Sequence, residues 1–192
     1  MRDKYSWVQQ KAALAKESGA SEFVKSVTAD LEQYDSDSQG DALLALASAL
    51  RVDLVAELQP NADENLLQII FGLLDAAEEK LPNDPLPPML QATLFFYDCR
   101  DPIHAYPHAL RAVEKARQSQ DMVRQTTGEL IRIHIALDNY QAVEPLLTFL
   151  LDYQPGAFSM EIPLELDFLA SLPINSVNSS IIDAYRAKVG LS

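Results

Sequence analysis

The chain has 192 residues, of which 48% are hydrophobic and 22% charged, and its formal net charge is −13 at pH 7. This balance excludes wholesale disorder, and the length suits one globular domain. No run approaches the 18 apolar residues that a membrane-spanning helix needs, so we expect no membrane association. The negative charge repels nucleic acid and anionic lipid and speeds the encounter with a basic protein.

Two further features concern the compartment. The N-terminal residues Met1 to Trp7 lack the apolar core of a secretion signal. The single cysteine, Cys99, cannot form an internal disulfide and fits a reducing environment. We therefore expect a cytoplasmic protein.

Helical patterns fill the first part of the chain. A first helix is predicted over residues 4–18, and Ser21 is predicted to cap a second helix with apolar residues at helical spacing. Residues 35–40 are predicted as a loop, and Asp41 as the start of a third helix that ends at Pro60. Asp63 is predicted to cap a fourth helix, whose apolar face consists of Leu66, Ile69, Ile70, Leu73, Leu74, Ala77 and Leu81.

Prolines punctuate the second part. The proline-rich stretch 82–88 must end the fourth helix, and a fifth is predicted to start near Met89. Pro107 is tolerable if its helix starts two or three residues earlier, and Pro145 should kink the eighth helix or delay its start. Short helices are predicted over 165–172 and 178–189. The chain is therefore predicted to be all-α, with about ten helices and no strand.

A repeat links two stretches of the chain. Tyr106 and Tyr140 are 34 residues apart, and each stretch contains a helix, an Asp-containing turn and a second helix that starts near the tyrosine. A 34-residue period with this content is typical of helical repeats that stack side by side. Other residue pairs at the same offset are Thr93 and Thr127, Phe96 and Leu130, Tyr97 and Ile131, Val113 and Leu147, and Ala116 and Leu150.

The stretch from Arg124 to Pro155 resembles a tetratricopeptide repeat, with Leu130 before the turn, Tyr140 after it and Pro155 at the end of the unit. Residues 90–121 are similar. The resemblance implies a right-handed solenoid of antiparallel helix pairs. We expect a single domain over 1–192, with N-terminal helices in 1–60, tetratricopeptide-like units in 61–155 and capping helices in 156–192.

The resemblance also implies a concave partner-binding groove. It is lined by residues of the first helix in each unit that point away from the core, namely Gln91, Leu94, Asp98, Gln125, Arg132 and Ile135. Because only Arg132 among them is basic, an acidic C-terminal tail is a disfavoured ligand. A second predicted contact is the acidic segment 61–89, which holds six carboxylates and one lysine. Its residues Glu78 and Glu79 are expected either to attract a basic partner or, as the alternative, only to keep the protein soluble.

Two stretches of the sequence partly match metal-binding motifs. Asp35, Asp37, Gln39 and Gly40 imitate the start of a calcium loop, but Leu46 takes the place of the required bidentate Glu. Cys99, His104 and His108 offer three zinc ligands, but Pro107 opposes the helical geometry and no fourth ligand is evident. We therefore expect no metal and no cofactor.

Catalytic motifs are absent from the sequence. Asp98 beside Cys99 disfavours the thiolate that a nucleophile needs, and the six glycines form no phosphate-binding or oxyanion loop. The predicted function is a non-catalytic protein-binding module, an adaptor or a chaperone that holds a partner segment. The alternative is an acidic immunity-type protein that neutralises a basic toxin, and the third hypothesis is an enzyme. The sequence predicts neither the partner's identity nor the oligomeric state.

Overall fold

The computed structural model describes residues 3–15, 17–56, 64–154 and 177–189. This part of the chain is all-α and contains no strand, as predicted. The solenoid arrangement stays a prediction. The predicted helix over 165–172 and the predicted helix boundaries at Pro60 and Asp63 lie outside the described residues. The described elements are α1 (Lys4–Ala15), α2 (Ala20–Leu31), α3 (Ser36–Ala56), α4 (Glu64–Lys80), α5 (Leu86–Thr93), a π-helical segment (Leu94–Asp98), α6 (Pro102–Ser119), α7 (Val123–Ala136), a 3₁₀ turn (Tyr140–Ala142), α8 (Val143–Asp152) and α9 (Ser179–Val189).

The chain divides into two compact units, unit 1 over Met1–Pro87 and unit 2 over Pro88–Ser192. The division falls at the end of the proline-rich stretch 82–88, where α4 has ended at Lys80 and α5 starts at Leu86. The restart predicted near Met89 therefore occurs three residues earlier. Grouping 1–192 as one domain stays a prediction.

Unit 1 is built around the packing of α3 against α4, with α2 also against α4 and α1 against α3. The apolar residues of α4 predicted from their spacing are buried from Leu66 to Ala77. Phe23, Val27 and Leu31 bury the matching stripe of α2. Each fully buried aliphatic or aromatic side chain contributes about 1.5–3 kcal/mol relative to exposure. Because the buried residues of α2 and α4 are those that recur at helical spacing in the sequence, this part of the core follows from helical periodicity.

The start of α3 differs from the prediction. Residues 36–40, expected in a loop, form the first turns of α3, and Asp35 rather than Asp41 caps the helix. The Asp35 carboxylate accepts hydrogen bonds from the Ser38 N–H at 2.8 Å and the Ser38 hydroxyl at 2.8 Å. These bonds lower the pKa of Asp35. The Asp-Ser-rich composition suggested a turn, but the same residue types favour a helix start.

Gly40 lies inside α3, where it contacts Leu81. A Cβ atom placed on Gly40 would lie 2.7 Å from Leu81 Cδ1 and closer still to Cγ. The glycine thus permits a close approach between α3 and the residue that follows α4. Leu81, predicted on the helical face of α4, instead lies just beyond its end and fills this contact.

The cap of α2 also differs. Ser21 lies inside the helix, and Gly19 is the N-cap residue without a side-chain cap of its own. Asn65 of α4 supplies the missing group: its Oδ1 accepts from the Ala20 N–H at 3.0 Å, and its Nδ2 donates to the Ser18 carbonyl at 2.9 Å. The first orphan donor of α2 is therefore satisfied across the core of unit 1.

Unit 2 contains two helix–turn–helix pairs, one formed by α5, the π-helical segment and α6, and the other by α7 and α8. Both turns were predicted, and each places one residue, Arg100 or Asp138, at a φ of 55°. One buried cluster joins Ala92, Ala105 and Ala109 to Leu130 and Ile133 of α7, and a second joins α7 and α8 to Tyr185 of α9.

The turns of the two pairs lie four residues further apart than the predicted repeat spacing of 34. Arg100 and Asp138 are 38 residues apart (138 minus 100). The buried residues Val143, Leu147 and Leu150 of α8 match buried residues of α6 at both spacings. These are Ala105, Ala109 and Ala112 at 38, and Ala109, Val113 and Ala116 at 34. A shift of four residues is close to one helical turn, so an apolar face matches itself at either offset. The tetratricopeptide resemblance itself stays a prediction.

The two internal prolines behave differently. Pro107 lies six positions into α6, which starts at Pro102 rather than two or three residues before Pro107. Pro145 is the third residue of α8, after a 3₁₀ turn, as expected if the proline delays the helix. The first N–H groups of a helix have no intrahelical partner. The missing N–H of Pro145, at the third position, therefore costs α8 no intrahelical hydrogen bond.

Candidate partner-binding groove

An open groove of about 780 Å³ lies in unit 2, between α6 and α8, with α7 as its floor. Apolar side chains form most of its surface. They are Leu110 and Val113 of α6, Leu130 of α7, and Ala142, Pro145 and Leu146 around the start of α8. An apolar concavity with few polar groups is the usual form of a binding site on a protein surface.

Helix α6 exposes apolar residues on a second face. Its core face consists of small residues, with Ala105, Ala109 and Ala116 among those buried. On the solvent side, Ile103 is 70% and Leu110 41% exposed. These two residues are seven positions apart and so lie on one side of the helix, with the exposed Pro107 between them. The result is an apolar stripe that runs to the groove.

The rim of the groove is polar and close to neutral. Glu114, Arg117 and Gln118 of α6 contribute to it. Arg117 is held in place by the aromatic ring of Phe149, because its guanidinium carbon lies 4.3 Å from the ring centroid. Phe149 in turn stacks on Tyr153 at 5.9 Å. A cation–π contact therefore orients Arg117 at one end of the groove.

His134 lies in the floor and is kept uncharged by its surroundings. Its Nδ1 is 3.2 Å from the side-chain amide of Asn139, and its ring meets Tyr106 edge-on at 5.2 Å. Burial lowers the pKa of His134, because the charged imidazolium would lose its hydration. The floor therefore presents a neutral ring at pH 7.

Two of the predicted groove residues lie in the interior of unit 2. Gln91 is 1% and Leu94 0% exposed. The Gln91 side-chain oxygen Oε1 is 2.7 Å from His108 Nδ1 and accepts from Arg111 at 3.2 Å. The expectation that both side chains point away from the core is wrong, because both are buried and Gln91 contacts His108 and Arg111 of α6. Their role in partner binding stays a prediction.

The other four predicted groove residues, which are Asp98 and the α7 residues Gln125, Arg132 and Ile135, are partly exposed. Arg132 donates to Glu129 Oε2 at 3.3 Å, and the Tyr97 hydroxyl donates to the same oxygen at 3.2 Å. Burial, followed by the Glu129 charge, raises the pKa of Tyr97. Gln125 and Asp98 are half-buried, and Ile135 packs against the α7–α8 cluster. The only basic residue of the predicted groove is thus already engaged in an ion pair.

Glu78 and Glu79 lie on α4 of unit 1, whereas the other six predicted residues lie in unit 2. Glu79 is exposed and Glu78 half-buried. The two groups of predicted residues therefore belong to different compact units. Their role in binding stays a prediction.

The candidate zinc residues have other partners. His104 Nδ1 is 2.6 Å from Asp101, which also caps α6, and His108 contacts Gln91 and Arg111. Within the described ranges, no group of three or more His, Cys, Asp or Glu side chains is placed to hold a metal ion. The supposed calcium loop is the capped start of α3.

The Cys99 side chain is exposed at the turn before α6. Partial loss of hydration at this turn raises the pKa of the thiol, and the charges of Asp98 and Asp101 raise it further. A thiol of this kind is a weak nucleophile at neutral pH.

None of the helices in the described segments is long and apolar enough to cross a membrane. No family model, curated protein or solved structure matches this chain. The functional argument therefore depends on the geometry of the chain itself.

The groove between α6 and α8 was not among the sequence predictions. Its signal was present, because Ile103 and Leu110 occupy a face of α6 distinct from the alanine face. A helix with two apolar faces indicates a second contact surface. Apolar spacing alone does not show which face remains uncovered.

Proposed function

We propose that this chain is a non-catalytic protein-binding module, an adaptor or chaperone, whose α6–α8 groove receives an amphipathic helix of another protein. The observation that carries the proposal is the exposure of Leu110 and Ile103 next to an apolar concavity. Single exposed apolar residues are common, but an apolar stripe that leads into a groove is typical of interaction sites.

The shape and polarity of the groove favour a helical occupant. Its floor and walls are apolar apart from His134, while its rim carries one acidic, one basic and one amide side chain. An amphipathic helix matches this arrangement, because apolar anchors at i, i+3, i+4 and i+7 enter the groove and its polar face stays in water. The near-neutral rim favours an occupant whose residues beside the apolar anchors carry no strong net charge.

The test uses a fluorescent amphipathic peptide of leucine, alanine, glutamine and serine, with leucines at helical spacing, and a scrambled peptide of the same composition. We expect fluorescence anisotropy to show saturable binding of the patterned peptide only. Leu110→Glu should weaken this binding about tenfold or more, because a carboxylate then enters the apolar contact at a cost of about 1.4 kcal/mol or more.

Val52→Glu is the matched control, because Val52 is also an exposed aliphatic residue but belongs to unit 1, outside the groove. It should leave the affinity unchanged. Equal weakening by both substitutions, or equal binding of the scrambled peptide, would contradict the proposal. Circular dichroism of both variants checks that helix content is retained.

A further inference from the structure

A second concavity lies in unit 1, between α1 and the end of α2. It has a volume of about 880 Å³ and is independent of the groove in unit 2. Asp3, just before α1, and Trp7, Gln10 and Lys11 of α1 form one wall, and the C-terminal end of α2 with its following turn forms the other. The residues from the α2 side that matter here are Asp30, Glu32 and Tyr34.

The turn that carries Tyr34 is held in place by hydrogen bonds. The Gln39 side-chain amide donates to the Tyr34 carbonyl at 2.6 Å, and the Tyr34 N–H donates to the Leu31 carbonyl at 2.9 Å. Gln39 is itself buried at the start of α3. The other wall is tied to α2 by the ion pair between Lys11 and Asp30. These contacts join the Tyr34 turn to α3 and join α1 to α2.

The charge in this cleft is negative. Three carboxylates, those of Asp3, Asp30 and Glu32, line it against the single ammonium of Lys11. Hydrogen bonds from Ser6 lower the pKa of Asp3, so this carboxylate is charged at neutral pH. The C-terminal carbonyls of α2 add the negative end of the helix dipole. All of these favour a cation.

Aromatic rings distinguish this cleft from an ordinary acidic surface. Trp7 and Tyr34 both line it and both are half-buried, so part of each side chain remains open to the cleft. Trp and Tyr rings attract guanidinium and ammonium groups through their faces, and Trp does so most strongly. Carboxylates beside aromatic rings match a planar guanidinium, which both stacks and donates hydrogen bonds.

We propose that the α1–α2 cleft binds an arginine side chain of a basic peptide segment in a partner protein. The aromatic faces of Trp7 and Tyr34 contact the guanidinium, and Glu32 accepts its hydrogen bonds. A small metal ion is not the ligand that this cleft fits, because the described carboxylates are not grouped for metal coordination. The surface is charged, so association weakens as salt rises from about 0.05 to 0.5 M.

Trp7 is the only tryptophan of the chain, so its fluorescence reports on this cleft directly. The full-length protein is titrated with a short capped peptide of alternating arginine and alanine, and separately with its glutamate counterpart. We expect a saturable change in fluorescence with the arginine peptide and none with the glutamate peptide. A response to both peptides, or to neither, overturns the proposal.

Variants test whether the cleft itself is responsible. Tyr34→Leu and Glu32→Gln should each weaken binding about threefold, and their combination about tenfold. Glu22→Gln is the matched control: it removes the same charge from the other end of α2 and should leave affinity unchanged. Equal weakening by Glu32→Gln and Glu22→Gln would show a long-range charge effect and overturn the assigned contact. Binding unaffected by Tyr34→Leu would overturn the role of the aromatic wall.

Discussion

Two neighbouring threonines of α7 show how one hydroxyl group affects the free energy of unfolding. Both are buried. Thr126 Oγ1 donates to the Met122 carbonyl at 2.9 Å, whereas Thr127 Oγ1 has no hydrogen-bond partner among the described residues. A buried hydroxyl without a partner has lost its hydration and gained nothing in exchange.

We therefore expect Thr127→Val to raise the free energy of unfolding by about 1 kcal/mol, because the substitution removes the unsatisfied hydroxyl at nearly constant shape. Thr126→Val, the matched control, should lower it by about 0.5–1 kcal/mol because it removes a formed hydrogen bond. Urea unfolding followed by circular dichroism measures both values. The opposite order of the two variants would show that Thr127 has a partner in the native state.

Asn65 shows a different kind of residue effect. It satisfies the Ala20 N–H and the Ser18 carbonyl from 45 and 47 positions away along the chain. The local sequence predicts Ser21 as the N-cap residue of α2, because serine is favoured at that position. The structure prefers a tertiary cap, because α4 brings an amide with both a donor and an acceptor to the open end of α2.

At the scale of elements, the contact of α3 with the end of α4 depends on Gly40. Glycine inside a helix normally costs about 1 kcal/mol relative to alanine. Here that cost is offset by the close approach of Leu81, which lies where a Cβ atom would be. The glycine is therefore required by packing rather than by a turn.

Gly40→Ala is accordingly expected to destabilise the protein by about 1–3 kcal/mol, although the same change in an open helix would stabilise it. The combination with Leu81→Ala should recover part of the loss, because the shorter side chain makes room for the new methyl group. Unfolding free energies of the two single variants and the double variant form a double-mutant cycle. A stabilising Gly40→Ala, or strict additivity, would contradict the packing argument.

At the scale of the whole molecule, the division at Pro87 predicts independent folding of unit 1. Its buried residues on α2, α3 and α4 pack within residues 1–87. A chain of this length can fold alone, although its stability is marginal because less surface is buried.

We expect residues 1–87, expressed alone, to remain helical and to unfold cooperatively in urea. Circular dichroism and the sharpness of the transition measure this. The Gly40→Ala version of the fragment serves as the control and should unfold at lower urea. A fragment without helix, or with a gradual non-cooperative loss of signal, would show that unit 1 requires unit 2.

The sequence by itself determined the all-α class, the apolar faces of α2 and α4, the break at 82–88 and the turns at Arg100 and Asp138. These depend on helical periodicity, proline and turn residues, which act over a few neighbouring positions. The repeat offset illustrates the limit of such patterns. Since a shift of four residues preserves an apolar face, spacing alone did not separate 34 from 38.

Only the tertiary structure decided which faces are covered. It placed Gln91 and Leu94 in the interior, left Leu110 and Ile103 exposed, and turned Gly40 into a packing residue. Burial depends on segments far away along the chain. When one helix has two apolar faces, residue spacing alone does not show which face another segment covers. Leu110 and Ile103 stay exposed because the π-helical segment and α7 cover the alanine face of α6 instead, which no local rule predicts.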